Sequence, residues 1–134
     1  MSRVQTRATL LAAAAVLAAC ASGGGMYDKP YALFEPEQRS VPADTRPAFV
    51  LKVDGSDRTI NRSDPETPGV RQVTVSIPGA RGMGDSRQDT LTIDAKPCMR
   101  YYLAARRPSA SSSDWSAFVA AAEPIGECVK KFPN

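Results

Sequence analysis

The chain contains no histidine. Histidine is the side chain whose ordinary pKa lies nearest to neutral pH, and it is the commonest general base and metal ligand. Its absence excludes Ser-His-Asp triads and histidine-containing metal sites. The segment Gly79 to Gly84 is rich in glycine, but it lacks both the Gly-Lys-Ser/Thr ending of a P-loop and the spacing of a dinucleotide fingerprint. We therefore expect a loop there, no cofactor and no enzymatic activity.

Long apolar runs are also scarce. The longest begins at Ala8 and covers about a dozen residues, fewer than the roughly 20 of a transmembrane helix. Arg3 and Arg7 precede it, and small residues follow it up to Cys20. A basic start, a short apolar segment and small residues near a cleavage point are the three parts of an export signal.

The end of this segment, Leu17-Ala18-Ala19-Cys20, resembles the lipobox of bacterial lipoproteins. The resemblance implies that residues 1–19 are a signal peptide and that Cys20 carries diacylglycerol, with further acylation of the new N-terminus. It also implies anchoring in the outer membrane on the periplasmic face, because Ala21 stands where Asp often signals retention in the inner membrane. A plain secretory signal, with Cys20 present by chance, is the alternative.

The chain after the expected signal peptide has few cysteines and a low net charge. With Cys20 assigned to lipid, only Cys98 and Cys128 are left of three cysteines, and an exported chain permits a disulfide between them. Two free buried thiols are the alternative. Two of the 17 basic residues, Arg3 and Arg7, belong to the signal, so against 14 acidic residues the rest carries a net charge of +1. This balance gives no support for nucleic-acid binding.

Proline and glycine divide the remaining chain. Residues 20–47 are expected to form a flexible, proline-rich tether, with Tyr27, Tyr31, Leu33 and Phe34 at most covering the edge of the domain. Residues 48–134 show apolar–polar alternation between turn signals, which predicts a small antiparallel β-sandwich-like domain. Strands are predicted at 48–53, 58–61, 72–77, 90–95 and 98–105. Segment 115–122 fits a strand or a short helix, and 125–132 is a terminal segment of undefined structure.

The C-terminal motifs suggest a family. The chain has Pro97-Cys98-Met99-Arg100-Tyr101-Tyr102, then Asp114-Trp115, then Glu123-Pro124-Ile125-Gly126-Glu127-Cys128. This is similar to small, uncharacterised bacterial envelope lipoproteins with a Pro-Cys-x-Arg-Tyr-Tyr … Asp-Trp … Glu-x-Ile-x-x-Cys pattern. The resemblance supports pairing of the two cysteines and a β-rich segment near the tryptophan, and it implies no activity.

One aromatic and basic group is a candidate binding patch. Arg106 and Arg107 follow a predicted strand that contains Tyr101 and Tyr102, whose side chains should point to opposite faces. We expect both arginines and one of the tyrosines to be exposed; a solvated sheet face without function is the alternative. Trp115 is expected to be a core residue beside the disulfide.

Acidic residues give no metal motif. The spacing of Asp54, Asp57, Asp64 and Glu66 does not match a helix–loop–helix calcium site, and surface turns explain these residues better. The expected function is therefore non-enzymatic: binding or assembly of an envelope protein beside the membrane to which the lipid attaches the chain. The alternative is an inhibitor of a hydrolase such as a lysozyme or a protease.

Overall fold

The computed structural model describes residues 25–39, 41–59, 62–77, 87–109, 111–112 and 114–134. The export signal, Cys20 and the glycine-containing segment 78–86 lie outside the described residues. Within these ranges the chain forms strands β1 (Leu33–Pro36), β2 (Thr45–Pro47), β3 (Phe49–Val53), β4 (Ser56–Asp57), β5 (Gly69–Ile77), β6 (Arg87–Ala95), β7 (Met99–Arg106) and β8 (Ser116–Pro124), followed by helix α1 (Gly126–Lys131).

Two sheets face each other, which confirms the predicted small β-sandwich-like domain. In the first sheet, β8 pairs antiparallel with the whole of β7. The other edge of β7 is shared: β1 runs parallel to its first half, with Leu33 opposite Arg100, and β2 runs antiparallel to its second half, with Thr45 opposite Arg106. The second sheet has the order β4-β3-β5-β6 and is antiparallel throughout.

The alternating segments form the strands that their pattern predicts. Val73, Val75 and Ile77 of β5 are buried, and the residues between them are half-buried on the other face. Ile93 and Ala95 of β6 are buried in the same way. Both strands begin three residues earlier than predicted, because their long antiparallel pairing continues past the alternating part.

A two-residue turn connects β3 to β4. Asp54 and Gly55 both have positive φ, at 49° and 78°. A two-residue turn with positive φ at both positions has a backbone twist that matches the right-handed twist of the two strands, and Asp-Gly is a preferred pair for this turn. The returning strand is β4, which ends at Asp57. Of the strand predicted at 58–61, Arg58 and Thr59 are therefore not in a strand, and 60–61 lie outside the described residues.

The main core lies between the two sheets. Val53, Val73 and Val75 from the second sheet pack against Phe34, Tyr101 and Leu103 from the first. Leu103, Val73 and Val75 have no measurable exposure. Burying each such side chain contributes about 1.5–3 kcal/mol, so this layer is the main source of stability.

A second apolar cluster lies on the opposite side of the first sheet, beneath α1. It contains Tyr31, Leu33, Ile125 and the disulfide between Cys98 and Cys128, whose Cα atoms are 5.3 Å apart. The disulfide is therefore confirmed. It joins residues 30 positions apart, and in the chain-entropy model such a crosslink stabilises the fold by roughly 3–4 kcal/mol.

The prediction that residues up to 47 form a tether is wrong for the part that the structure describes from Tyr31 onward. Tyr31, Leu33 and Phe34 are only 5–7% exposed, and both β1 and β2 are strands of the first sheet. Of the prolines that suggested a tether, Pro36 and Pro47 are the last residues of β1 and β2, at edge positions where proline is tolerated, and Pro30 and Pro42 lie outside the strands.

The two undefined C-terminal segments are a strand and a helix. Residues 116–122 of the segment predicted as strand or helix belong to β8, since pairing with β7 outweighs the helix propensity of its alanines, and Trp115 precedes the strand. Residues 126–131, which had no predicted structure, form α1, and Cys128 is the buried residue of this helix. In the described part of the chain, no helix has the length and hydropathy needed to cross a bilayer.

We predict that a chain beginning at Ala48 does not fold cooperatively, whereas a chain beginning at Gly25 does. The shorter chain loses one whole edge of β7 and the buried ring of Phe34, and loss of a core Phe side chain alone costs about 3–5 kcal/mol, a large part of the 5–15 kcal/mol typical of a domain. Thermal melting followed by circular dichroism distinguishes them. A sharp transition of the Ala48 chain would contradict the role given to β1 and β2.

Candidate binding surface

The end of β7 and the beginning of β8 carry the predicted arginines. Arg106 is paired with Ser116, and Ala104 with Phe118, so the side chains of Arg106 and Phe118 lie on the same face of the sheet. The guanidinium carbon of Arg106 is 4.8 Å from the centroid of the Phe118 ring. Arg106 is exposed, as predicted, whereas Arg107 is half-buried and corrects that part of the prediction.

Trp115 is covered by arginines and does not lie in a core. The guanidinium carbon of Arg107 is 5.0 Å from its ring centroid, and that of Arg46 is 5.9 Å away. Trp115 is half-buried and belongs to neither apolar cluster. The predicted position beside the disulfide is wrong, because Trp115 precedes β8 at the opposite end of β7 from Cys98.

We call this group the arginine–aromatic cluster: Arg46, Arg106, Arg107, Trp115 and Phe118. Its charge is poorly balanced. Asp44 approaches Arg106 at 3.9 Å, whereas Arg46 and Arg107 have no carboxylate within 4.0 Å among the described residues. The Nε of Arg107 is buried and has no hydrogen-bond partner in that part of the chain. The cluster therefore carries an excess of positive charge.

Two clefts border the cluster. One has a volume of about 300 Å³ and lies between Arg107, Pro108 and Ala117. The other, of about 350 Å³, lies over the outer face of the first sheet and is lined by Val41 and Pro42. Arg106 and Phe118 line both clefts and form the ridge between them. A guanidinium group beside an aromatic ring and next to concave surface is typical of an interface anchor.

The two candidate tyrosines point to opposite faces, as predicted. Tyr101 is 7% exposed, and its hydroxyl oxygen accepts a hydrogen bond of 2.8 Å from the backbone N–H of Lys96. Tyr102 lies on the outer face with Arg106, but the two are four positions apart, about 13 Å along a strand. The guanidinium group of Arg39 covers the Tyr102 ring at 4.1 Å. Tyr102 is therefore half-buried under an arginine and lies apart from the arginine–aromatic cluster.

A polar network surrounds Tyr102. Its hydroxyl donates to Glu123 at 2.6 Å, and this hydrogen bond lowers the pKa of the Glu123 carboxyl and raises the pKa of Tyr102. Glu37 is only 6% exposed, and hydrogen bonds from Arg39 lower the pKa of its carboxyl. Carboxylates held ionised in this way are poorly suited to act as general acids near neutral pH.

Each of the four acidic residues considered as calcium ligands forms an ion pair with a basic side chain. In these pairs, Lys52 contacts Asp57, Arg58 contacts Glu66, Arg62 contacts Asp64, and Arg71 contacts Asp54. Across the ranges that the structure describes, no three His, Cys, Asp or Glu side chains come together as a metal site. These four carboxylates act as partners of basic side chains. Asp54 lies in a turn as expected, whereas Asp57 belongs to β4 and Glu66 is buried, so the expectation of surface turns is wrong for those two.

Sequence reasoning missed two members of the cluster. Arg46 lies in β2, in a segment taken for tether, and only its pairing opposite Ala105 brings it near Trp115. Phe118 was treated as one residue of an ambiguous segment. The strand alternation of β8 could have placed Phe118 on the face of Arg106 once the register with β7 was known, whereas nothing in the sequence around Arg46 indicates its neighbours.

No protein-family model, curated protein or solved structure matches this chain.

We predict that Trp115→Ala costs much less stability than Phe34→Ala. Trp115 is held mainly by two guanidinium groups, and such contacts contribute about 0.5–1 kcal/mol each at exposed sites, whereas a buried Phe truncated to Ala costs about 3–5 kcal/mol. Urea unfolding of both variants gives the comparison. Equal losses would restore Trp115 as a core residue.

Proposed function

We propose that this protein is a lipoprotein, anchored in the bacterial outer membrane through Cys20 on the periplasmic face, and that it acts there as a non-enzymatic binding protein. The lipobox at residues 17–20 supports the anchor. The disulfide between Cys98 and Cys128 supports export, because disulfides form and persist in oxidising compartments such as the periplasm.

The arginine–aromatic cluster is the observation that carries the binding role. Of its three guanidinium groups, only that of Arg106 has a carboxylate within 4.0 Å among the described residues, and two aromatic rings contact all three. Arginine and tryptophan are enriched at the energetic centres of interfaces. An acidic surface of an envelope protein has the complementary charge, and we propose such a surface as the partner. The aromatic part of the predicted patch thus moves from the tyrosines to Trp115 and Phe118.

We expect labelled palmitate to enter the full-length protein in growing cells and to be absent from Cys20→Ala. The thiol of Cys20 is the acceptor in a lipobox, so its removal eliminates the attachment site. The variant with both Cys98→Ser and Cys128→Ser is the matched control, because it retains Cys20 and should still be labelled. Equal labelling of the wild type and Cys20→Ala would refute the anchor.

We also expect the double variant Arg106→Ala and Arg107→Ala to lose a partner that crosslinks to the wild type in intact envelopes. The double variant Lys52→Ala and Arg62→Ala is the matched control, since it removes two basic side chains from the second sheet and its adjacent loop. Recovery from this control should be unchanged. Higher salt during binding should weaken the wild-type interaction, because exposed charges are screened.

Undiminished recovery from the Arg106 and Arg107 variant would leave the cluster as a solvated end of the sheet. The identity of the partner separates the two functional classes. A structural envelope protein supports the binding role, whereas a hydrolase whose activity falls on addition of this protein supports the inhibitor.

A further inference from the structure

Exposed apolar side chains collect at the end of the sandwich where the described chain begins. Met26 is 63% exposed and Tyr27 is 51% exposed, and Val129 of α1 is 44% exposed. Lys29 and Lys130, which are close to these residues in the sequence, are also exposed. Neither lysine has a carboxylate within 4.0 Å among the described residues. We call Met26, Tyr27, Lys29, Val129 and Lys130 the basal surface.

The two segments of the basal surface are fixed to each other. Nζ of Lys131 donates to the backbone oxygen of Tyr27 at 2.8 Å and lies 3.3 Å from the carboxylate of Asp28. The rings of Tyr27 and Tyr31 meet edge to face, with centroids 5.0 Å apart. The backbone oxygen of Tyr31 accepts a hydrogen bond of 2.7 Å from Cys98, which is bonded to Cys128 beneath α1. The start of the described chain is thus held against α1.

Chain length limits how far this surface can lie from the membrane. Gly25 is five residues after Cys20, and five extended residues span at most about 18 Å. The inference rests on the proposed lipidation of Cys20, which places that residue at the bilayer surface. Any movement of the domain is then restricted to a short radius around the end that carries the exposed apolar side chains.

We propose that the basal surface rests on the bilayer to which Cys20 is attached. Tyrosine suits the interface between headgroups and hydrocarbon, because its ring is apolar and its hydroxyl is polar. The ammonium groups of Lys29 and Lys130, which have no ion-pair partner in the part of the chain that the structure describes, attract anionic headgroups. The exposed carboxylate of Glu127 partly offsets this attraction. When the basal surface rests on the bilayer, the side chains of Met26 and Val129 are also removed from water.

This contact orients the whole domain. Strand β7 runs from Met99, next to the disulfide, to Arg106, and its eight residues span about 23 Å. The arginine–aromatic cluster therefore lies at the end directed into the periplasm. A partner could approach it without being blocked by the membrane.

The test uses the position of tryptophan. Trp115 is the single tryptophan of the chain. Its fluorescence reports on the end of the domain opposite the basal surface. Two variants, Tyr27→Trp and Val129→Trp, each combined with Trp115→Phe, report the basal surface. The mature acylated proteins, beginning at Cys20, are placed in nanodiscs of phosphatidylethanolamine and phosphatidylglycerol that contain brominated lipid, which quenches tryptophan at the interface.

We expect the reporters at 27 and 129 to shift to the blue and to lose about half or more of their emission, since interfacial side chains reach the boundary of headgroups and acyl chains. Trp115 in the wild-type sequence should keep its emission. Lys130→Gln in the Tyr27→Trp protein should reduce the quenching where phosphatidylglycerol is present, and Lys52→Gln, on the second sheet, is the matched control and should not.

The outcomes separate this inference from the proposed anchor. An acylated protein whose two basal reporters are both unquenched, or whose Trp115 is quenched as strongly as they are, overturns the orientation and leaves the anchor intact. A protein that mass spectrometry finds without acyl chains overturns the anchor and this orientation with it. Melting curves of the reporter variants exclude a lost fold as the cause of either result.

Discussion

The position of β7 between three other strands is the constraint on which the rest of the structure depends. Along one edge it pairs with β8, and along the other it is shared by β1 and β2. The backbone oxygen of Leu103, at the midpoint, accepts hydrogen bonds from both Glu37 and Ala48, at 2.8 and 3.1 Å. Glu37 is the residue after β1, and Ala48 lies between β2 and β3. This one carbonyl therefore binds the chain both where it leaves β1 and where it passes from β2 into the second sheet.

Alternation along β7 then assigns each side chain to a layer. Tyr101 and Leu103 enter the core between the sheets, whereas Arg100, Tyr102 and Arg106 face outward. Because charged arginine is costly to bury without a partner, the outward face acquires acidic side chains, and Glu123 on β8 lies directly opposite Arg100. The same strand therefore stabilises the core with one half of its residues and forms a polar surface with the other half.

How well a feature could be predicted from the sequence depends on how far apart in the chain its interacting residues lie. The strands β5 and β6 could be predicted, because their apolar residues alternate over a long antiparallel pair. The disulfide could be predicted because only two cysteines remain once Cys20 is assigned to the expected lipobox. The strands β1 and β2 could not, since they have four and three residues and their partner lies more than 50 residues away in the chain. The position of Trp115 was missed for the same reason, because Arg46 reaches it only through β2.

Two charged regions of the first sheet differ in how their charged groups are held. Around Tyr102, guanidinium groups meet carboxylates, so their positive charge is largely neutralised where it stands. At Arg46 and Arg107 of the arginine–aromatic cluster, a ring takes the place of a carboxylate. A ring restricts a guanidinium group through packing and the cation–π interaction without cancelling its charge. An anionic group that reached the cluster would therefore meet arginines that are already ordered and still unneutralised, and less ordering entropy would be lost on binding than with free side chains.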